Sequence, residues 1–266
     1  MNAPEKIFLP DIQATPDVRQ LAIQQVGVKG LRYPLALLDM RGEAHPTVAI
    51  LAMTVGLGPE VKGTHMSRFV ELLERPREPL TLTGLRQMFQ EMLVHLQASS
   101  GRIEMRFPYF IRKAAPVSGV ESLLDIDAGI DISRVTGGAI ETTLLVVVPV
   151  TSLCPCSKKI SDYGAHNQRS HLTLRVNLRD DVSLEQLVRV AEEEASCEVF
   201  GLLKRPDEKW VTERAYDNPK FVEDLVRDIA LRLRADHRIN HWSVSSENFE
   251  SIHNHSAYAI IEGKNG

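Results

Sequence analysis

Gly137-Gly138-Ala139-Ile140-Glu141-Thr142-Thr143-Leu144-Leu145-Val146-Val147-Val148-Pro149-Val150 lies near the middle of the chain and decides how the rest is read. The paired glycines punctuate the backbone. The run 139–150 is a strongly apolar, β-branched strand. After it, the order of elements that precedes it begins again. Upstream, 24–38 and 47–57 carry the alternating, β-branched content of strands. A short helix follows over 67–73 and a longer one over 82–97, where Leu85, Met88, Phe89, Met92, Leu93 and Leu96 recur at helical spacing. Thr81 or Thr83 is available to cap that longer helix. Strands over 102–112 and 123–135 complete the first half.

Downstream, 171–178 alternates as a strand. Ser183 caps a helix expected to run to about Leu203, and Asn218-Pro219 opens another reaching about Arg234. Strands over 240–245 and 256–262 close the chain. Each half thus reads strand, strand, helix, helix, strand, strand. The pattern predicts an α+β protein with antiparallel sheets: an extended arm over 1–20, a first unit over 21–136 and a second over 137–266, packed as one body. Helices cover one face of such a sheet, and the other face and the open edges must be buried elsewhere, which favours oligomerisation. An ordinary two-layer monomer fits the same pattern.

The 266 residues carry a net charge of −4, with 43% hydrophobic and 25% charged residues. That balance suits a globular core. It gives no global positive field for a nucleic-acid backbone, though a local basic patch suffices for a small polyanion. No apolar run approaches the roughly 20 residues of a membrane helix, and the first residues show no secretory signal. The three cysteines are odd in number, and Cys154 and Cys156, one proline apart, are poorly placed to pair with each other. Reduced thiols in the cytoplasm are expected.

Chemistry concentrates in Ser152-Leu153-Cys154-Pro155-Cys156-Ser157-Lys158-Lys159. Strand geometry here would place both thiols on one side. Thiolate is the ligating and nucleophilic form, but a C-x-C pair without a second pair is a weak metal signal. It also reads as two small residues at a strand end. Other ligand types lie downstream: His166 and His171, Glu208 in a polar loop over 204–210, and His253 and His255. Each taken singly is a hydrogen-bonding residue; together they could form a mixed Cys/His/carboxylate site. Gly63-Thr64-His65-Met66-Ser67-Arg68-Phe69 places hydroxyls and a guanidinium at a helix start, suited to an oxyanion or simply to a capped helix. Lys158, Lys159, Arg112 and Lys113 could add positive charge. Glu223, early in the last helix, either favours the helix dipole or offers a carboxylate to two N–H donors.

Taken together, Gly63–Phe69, Arg106-Phe107-Pro108-Tyr109-Phe110, Ser152–Lys158, Asp217-Asn218-Pro219-Lys220-Phe221 and Ser251-Ile252-His253-Asn254-His255-Ser256-Ala257-Tyr258 resemble the signature segments of the prokaryotic type IB GTP cyclohydrolases. The resemblance runs from Pro10 to about Glu262. It implies the tunnelling fold, with two tandem ββααββ units per subunit, and a homotetramer with active sites at subunit interfaces. It implies hydrolytic opening of the guanine imidazole ring of GTP, giving 7,8-dihydroneopterin triphosphate and formate for folate or modified tRNA-base (queuosine) synthesis. The implied metal ligands are Cys154, His166, Glu208 and His253, holding one zinc, manganese or iron ion. Cys156 would contact substrate near the reacting carbon, Glu223 would anchor the guanine edge, and Glu250 and His253 would move protons. Ser67, Arg68, Lys158 and Lys159 would meet the phosphates. No nucleic-acid or membrane partner is implied. The same fold family includes an NADPH-dependent nitrile reductase with a cysteine nucleophile, and the ligands could instead staple a non-catalytic assembly protein; these are the alternatives.

Overall fold

The structure, a computed structural model, describes residues 13, 15–39, 41–75 and 78–266. Of the arm expected over 1–20, residues 1–12 and 14 lie outside the described residues; Pro16 forms an antiparallel bridge to Val61. The elements run β1 (Ile23–Leu38), β2 (Ala44–Leu57), α1 (Ser67–Leu73), α2 (Leu82–His95), β3 (Gly101–Ala114), β4 (Glu121–Arg134), β5 (Glu141–Leu153), α3 (Pro155–Ile160), β6 (Asn167–Leu178), α4 (Leu184–Glu194), β7 (Cys197–Glu198), α5 (Arg205–Asp217), α6 (Val222–Ala235), β8 (Ile239–Phe249) and β9 (Ser256–Lys264). The strands form one antiparallel sheet in the order β1-β2-β3-β4-β5-β6-β8-β9, with β7 added beside β5. The two halves meet inside that sheet, where β4 pairs β5 from Asp127↔Val147 to Ser133↔Glu141.

The alternation in β5 explains the layering. Leu144, Val146, Val148 and Val150 are fully buried on one face. They share a core with Leu172, Leu174 and Val176 of β6 and with the apolar faces of α4 and α6. Each such side chain contributes about 1.5–3 kcal/mol on burial. In the first half, Phe69 of α1 and Leu85, Phe89 and Met92 of α2 cover Met53, Ile103 and Met105 in the same way. The opposite face carries polar and exposed apolar groups. On it Asp131, only 6% exposed at its side chain, is met by Arg106 and Arg175, with Arg175 Nη2 donating at 2.8 Å, and by Arg102 at 3.2 Å. Burial alone would raise this carboxyl, but Arg106, Arg175 and Arg102 outweigh that and hold it below its ordinary range.

Three expectations need correction. The helix expected from Ser183 to about Leu203 ends at Glu194. Beyond Val147, β4 no longer pairs β5, so the backbone of β5 needs other partners. Cys197 and Glu198 pair Thr151 and Val150, Ser196 Oγ accepts from Leu153 N at 3.1 Å, and Lys220 N donates to Leu153 O at 3.1 Å. The polar loop expected over 204–210 is the start of α5. Pro206 sits in its first turn, and Asp207 Oδ2 accepts from Lys204 N at 2.8 Å. α5 buries only Asp207 and Ala215, so it has no apolar stripe to betray it. The last helix begins at Val222 rather than at Asn218-Pro219.

Candidate functional site

Where β5 ends, the chain turns directly into α3. Cys154 is the N-cap of that helix and its Sγ accepts from Ser157 N at 3.4 Å, while Pro155 occupies the first helical turn. Strand geometry, which would have aligned both thiols, therefore stops at Cys154. Cys156 lies within the helix and is exposed, whereas Cys154 is half-buried. The third thiol, Cys197, is buried; burial, and then the neighbouring Glu198, push it up to about 12. It stays protonated at neutral pH, leaving Cys154 and Cys156 as the accessible thiols.

His166, one residue before β6, is brought onto Cys154 by main-chain and hydroxyl bonds. Cys154 N donates to His166 O at 3.1 Å. The Ser157 hydroxyl accepts from His166 N at 3.2 Å and donates to Cys154 O at 3.1 Å. The His166 ring places Nδ1 at 2.9 Å from Gln168 Oε1 and 3.4 Å from Ser251 Oγ. The second of these brings the β8–β9 bend against His166. In that bend His253 and His255 are exposed and stacked, centroids 5.2 Å apart, and Glu250 is half-buried.

Beneath this group the helix-facing layer changes character. Ser152 at the end of β5, Gln168 and Ser170 at the start of β6, Ser196 just before β7, and Ser246 and Asn248 near the end of β8 are all buried. Ser170 and Gln168 continue the inward parity of Leu172 and Leu174 in β6. That polar bed is the feature the motif reading passed over.

The remaining candidates are spread more widely. Glu208 is exposed in the first turn of α5, and Glu223 is exposed in the first turn of α6. Ser67 opens α1, whose N-cap, Met66, offers no side-chain cap, and Arg68 Nη1 points back to His95 O at 3.5 Å. Lys158 donates to Tyr216 O and lies 4.1 Å over the Tyr216 ring, while Lys159 is exposed. Lys113 is consumed by Glu192 at 2.6 Å, and Arg112 faces Glu121 at 3.7 Å.

A second group arises at the β1–β2 turn. One ligand atom each from Asp39, Glu43 and His45 lie within 4.8 Å of one another, and such a group could hold a divalent cation. Among the described residues it is the one such trio; no three of Cys154, His166, Glu208 and His253 converge as closely within one chain. Asp39 also lines a cavity of about 250 Å³ between the halves, together with Leu37, Thr81, Tyr109, Ser183 and Glu185. Cys154 and His166 do not line it.

Comparison with known proteins identifies the relationship. The family described as "Type I GTP cyclohydrolase folE2" matches residues 9–259. The protein "GTP cyclohydrolase FolE2 1" of Dechloromonas aromatica (strain RCB) is 72% identical over 265 residues, covering 100% of both chains. "GTP cyclohydrolase FolE2 2" of Cupriavidus metallidurans is 62% identical over 254 residues, covering 96% of this chain and 94% of its own. In fold, the chain is similar to the uricase of Arthrobacter globiformis, with a TM-score of 0.52 at 9% identity over 91% of this chain and 93% of that one.

Proposed function

The chain belongs to the type I GTP cyclohydrolase folE2 family, and from that membership we propose that it hydrolyses GTP to 7,8-dihydroneopterin triphosphate and formate, on the route to folate. Full-length identity to proteins named for that activity carries the reading. The nitrile reductase and the non-catalytic assembly protein have no such support. The narrower type IB placement rests on Cys154-Pro155-Cys156 and His253-Asn254-His255.

The donor set supports a metal at Cys154 and His166, completed by Glu208 and His253. Cys154 and His166 are already tied together through Ser157, and Ser251 brings the His253 segment to the same ring. Mixed sulfur, nitrogen and oxygen donors suit zinc, manganese or iron. Cys154, His166, Glu208 and His253 would hold the ion, whose Lewis acidity would activate water at neutral pH.

The chain's own groups take the remaining roles. Cys156, exposed in the first turn of α3, faces the reacting carbon. Glu223 accepts from guanine N1–H and the N2 amino group. Glu250, His253 and His255, in one bend, carry the proton transfers of ring opening and pterin closure. Ser67, Arg68 and Lys159 meet the triphosphate. Lys158 is anchored on Tyr216, so it adds charge from a fixed position.

We read 21–136 and 137–266 as tandem tunnelling-fold units, supported by the repeated strand pairs around helices. The exposed Val48, Ile50, Leu123, Tyr258 and Ile260 on sheet strands support assembly into a homotetramer with shared active sites. Their alternation with buried core residues places them away from the helices. That assembly offers a way to complete the ligand set. We place the enzyme in the cytoplasm, with no nucleic-acid or membrane partner; no described helix is long and apolar enough to cross a membrane. The test is GTP turnover by chelator-stripped protein with zinc, manganese or iron(II) added back separately. Metal-dependent release of both formate and oxidisable pterin is expected, and GTP binding without either product under every metal would refute the reading.

A further inference from the structure

We infer that Gln168 is a positioning residue: it holds His166 as the Nδ1–H tautomer and thereby presents the Nε2 lone pair to a metal. The inference rests on the reading of His166 as a ligand.

His166 and Gln168 are two residues apart on an extended chain, so their side chains lie on the same side. Gln168 Oε1 is 2.9 Å from His166 Nδ1, and its Nε2 donates to Ser152 Oγ at 3.3 Å. Ser152 is the register partner of Gln168 across the β5–β6 ladder, and Ser152 Oγ is 2.6 Å from Ser170 Oγ. Gln168 is 8% exposed, and Ser152 and Ser170 are fully buried. A buried amide end left without a partner is destabilising. The amide is held at both ends, Nε2 toward Ser152 and Oε1 toward the imidazole.

An oxygen acceptor at Nδ1 requires the ring proton to sit there. Nε2 then carries the lone pair, and it has no hydrogen-bond partner among the described residues. Ser251 at 3.4 Å is the longer contact and lies in an exposed bend, so the buried amide fixes the ring. A strand end serving only the core would continue the Leu172, Leu174, Val176 pattern. Instead it turns polar at Ser170 and Gln168 and terminates on His166.

The test uses the full chain stripped of metal, with zinc(II) in competition with an indicator and cobalt(II) as a spectroscopic probe. Gln168→Leu should weaken zinc(II) binding by about 10–100-fold, the usual loss when a ligand's hydrogen-bond support is removed, and should shift the cobalt(II) absorption bands. Gln168→Glu, which keeps an acceptor at Nδ1, should restore both. Histidine-selective nitrogen NMR of the unaltered chain, with His166 assigned by its loss in His166→Ala, should show the Nδ1–H tautomer. That readout and Gln168→Glu decide the matter if Gln168→Leu fails to fold. An Nε2–H ring, or wild-type affinity in Gln168→Leu while His166→Ala loses zinc(II), overturns the inference and leaves the metal site standing. Wild-type zinc(II) affinity in His166→Ala means that the ligand assignment itself has failed, and the inference falls with it.

Discussion

The β1–β2 turn and the β5–α3 junction both gather metal-ligating side chains, and they differ in what those atoms already do. At the turn, Asp39 Oδ1 accepts from Arg41 N and Glu43 N at 2.8 Å each, and Oδ2 meets His45 Nε2 at 3.0 Å. Burial would raise this carboxyl, but His45 and those two amides outweigh it and hold it below its ordinary range. The carboxylate thus already holds three hydrogen bonds within its own hairpin. A cation held there would have to replace the Asp39–His45 hydrogen bond. At the junction, Cys154 Sγ takes one long bond from Ser157 N, and among the described residues His166 keeps one ring nitrogen open. Close approach of ligand atoms can mean that they satisfy each other. Spare lone pairs on a fixed scaffold are the better mark of a site.

The sharpest way to break this comparison is to truncate one residue in each region. Cys154→Ala should abolish turnover and strip bound metal, measured by formate release and elemental analysis; a variant retaining both would move the metal elsewhere, with the turn as first suspect. Cys156→Ala should lower turnover by about 10²-fold or more, on the scale of a lost proton-transfer or substrate-contact group, while its metal content stays near wild type. Loss of metal in that variant would mean that the two cysteines have exchanged roles.

A smaller effect separates engaged carboxylates from open ones. Asp131→Asn leaves three guanidiniums facing one neutral amide and should cost about 2–3 kcal/mol in denaturant unfolding. That is less than a fully buried pair, because the arginines are a third or more exposed. The folded carboxyl lies below its unfolded value, so its contribution is fully present above about pH 4 and fades as pH falls through the folded value. Acid unfolding of the wild type should therefore converge on that of Asp131→Asn, and a gap between them that stays constant down to the lowest pH would contradict the assignment. Smallest of all, His45→Ala should cost about 0.5–1 kcal/mol, as for a partly exposed ion pair, with metal content unchanged. Loss of metal in that variant would reverse the comparison.

Legibility followed the physical signal each element carries. α1 and α2 and the strands of both halves showed alternation or helical spacing, and the structure places them within a few residues of expectation. α5 was hidden because it buries only Asp207 and Ala215, so periodicity had nothing to register. α3 was hidden because its six residues follow an apolar strand without a break. Cys154, His166 and the His253 bend were legible as residue types, whereas Ser170 and Gln168 fell before the strand expected from 171, so their inward parity was not read.

The sequence by itself determined the layered antiparallel architecture, because side-chain period and polarity are local properties that a strand or helix cannot escape. It also determined the family, because several multi-residue segments recur in order. Tertiary structure alone decided that the halves share one sheet through β4 and β5, and that β7, Ser196 and Lys220 complete the exposed backbone of β5. It alone set the His166 ring against Gln168, with its Nε2 without a hydrogen-bond partner among the described residues. Those outcomes depend on which backbone and side-chain atoms lack a partner once the chain has packed, and such a shortage exists only in three dimensions.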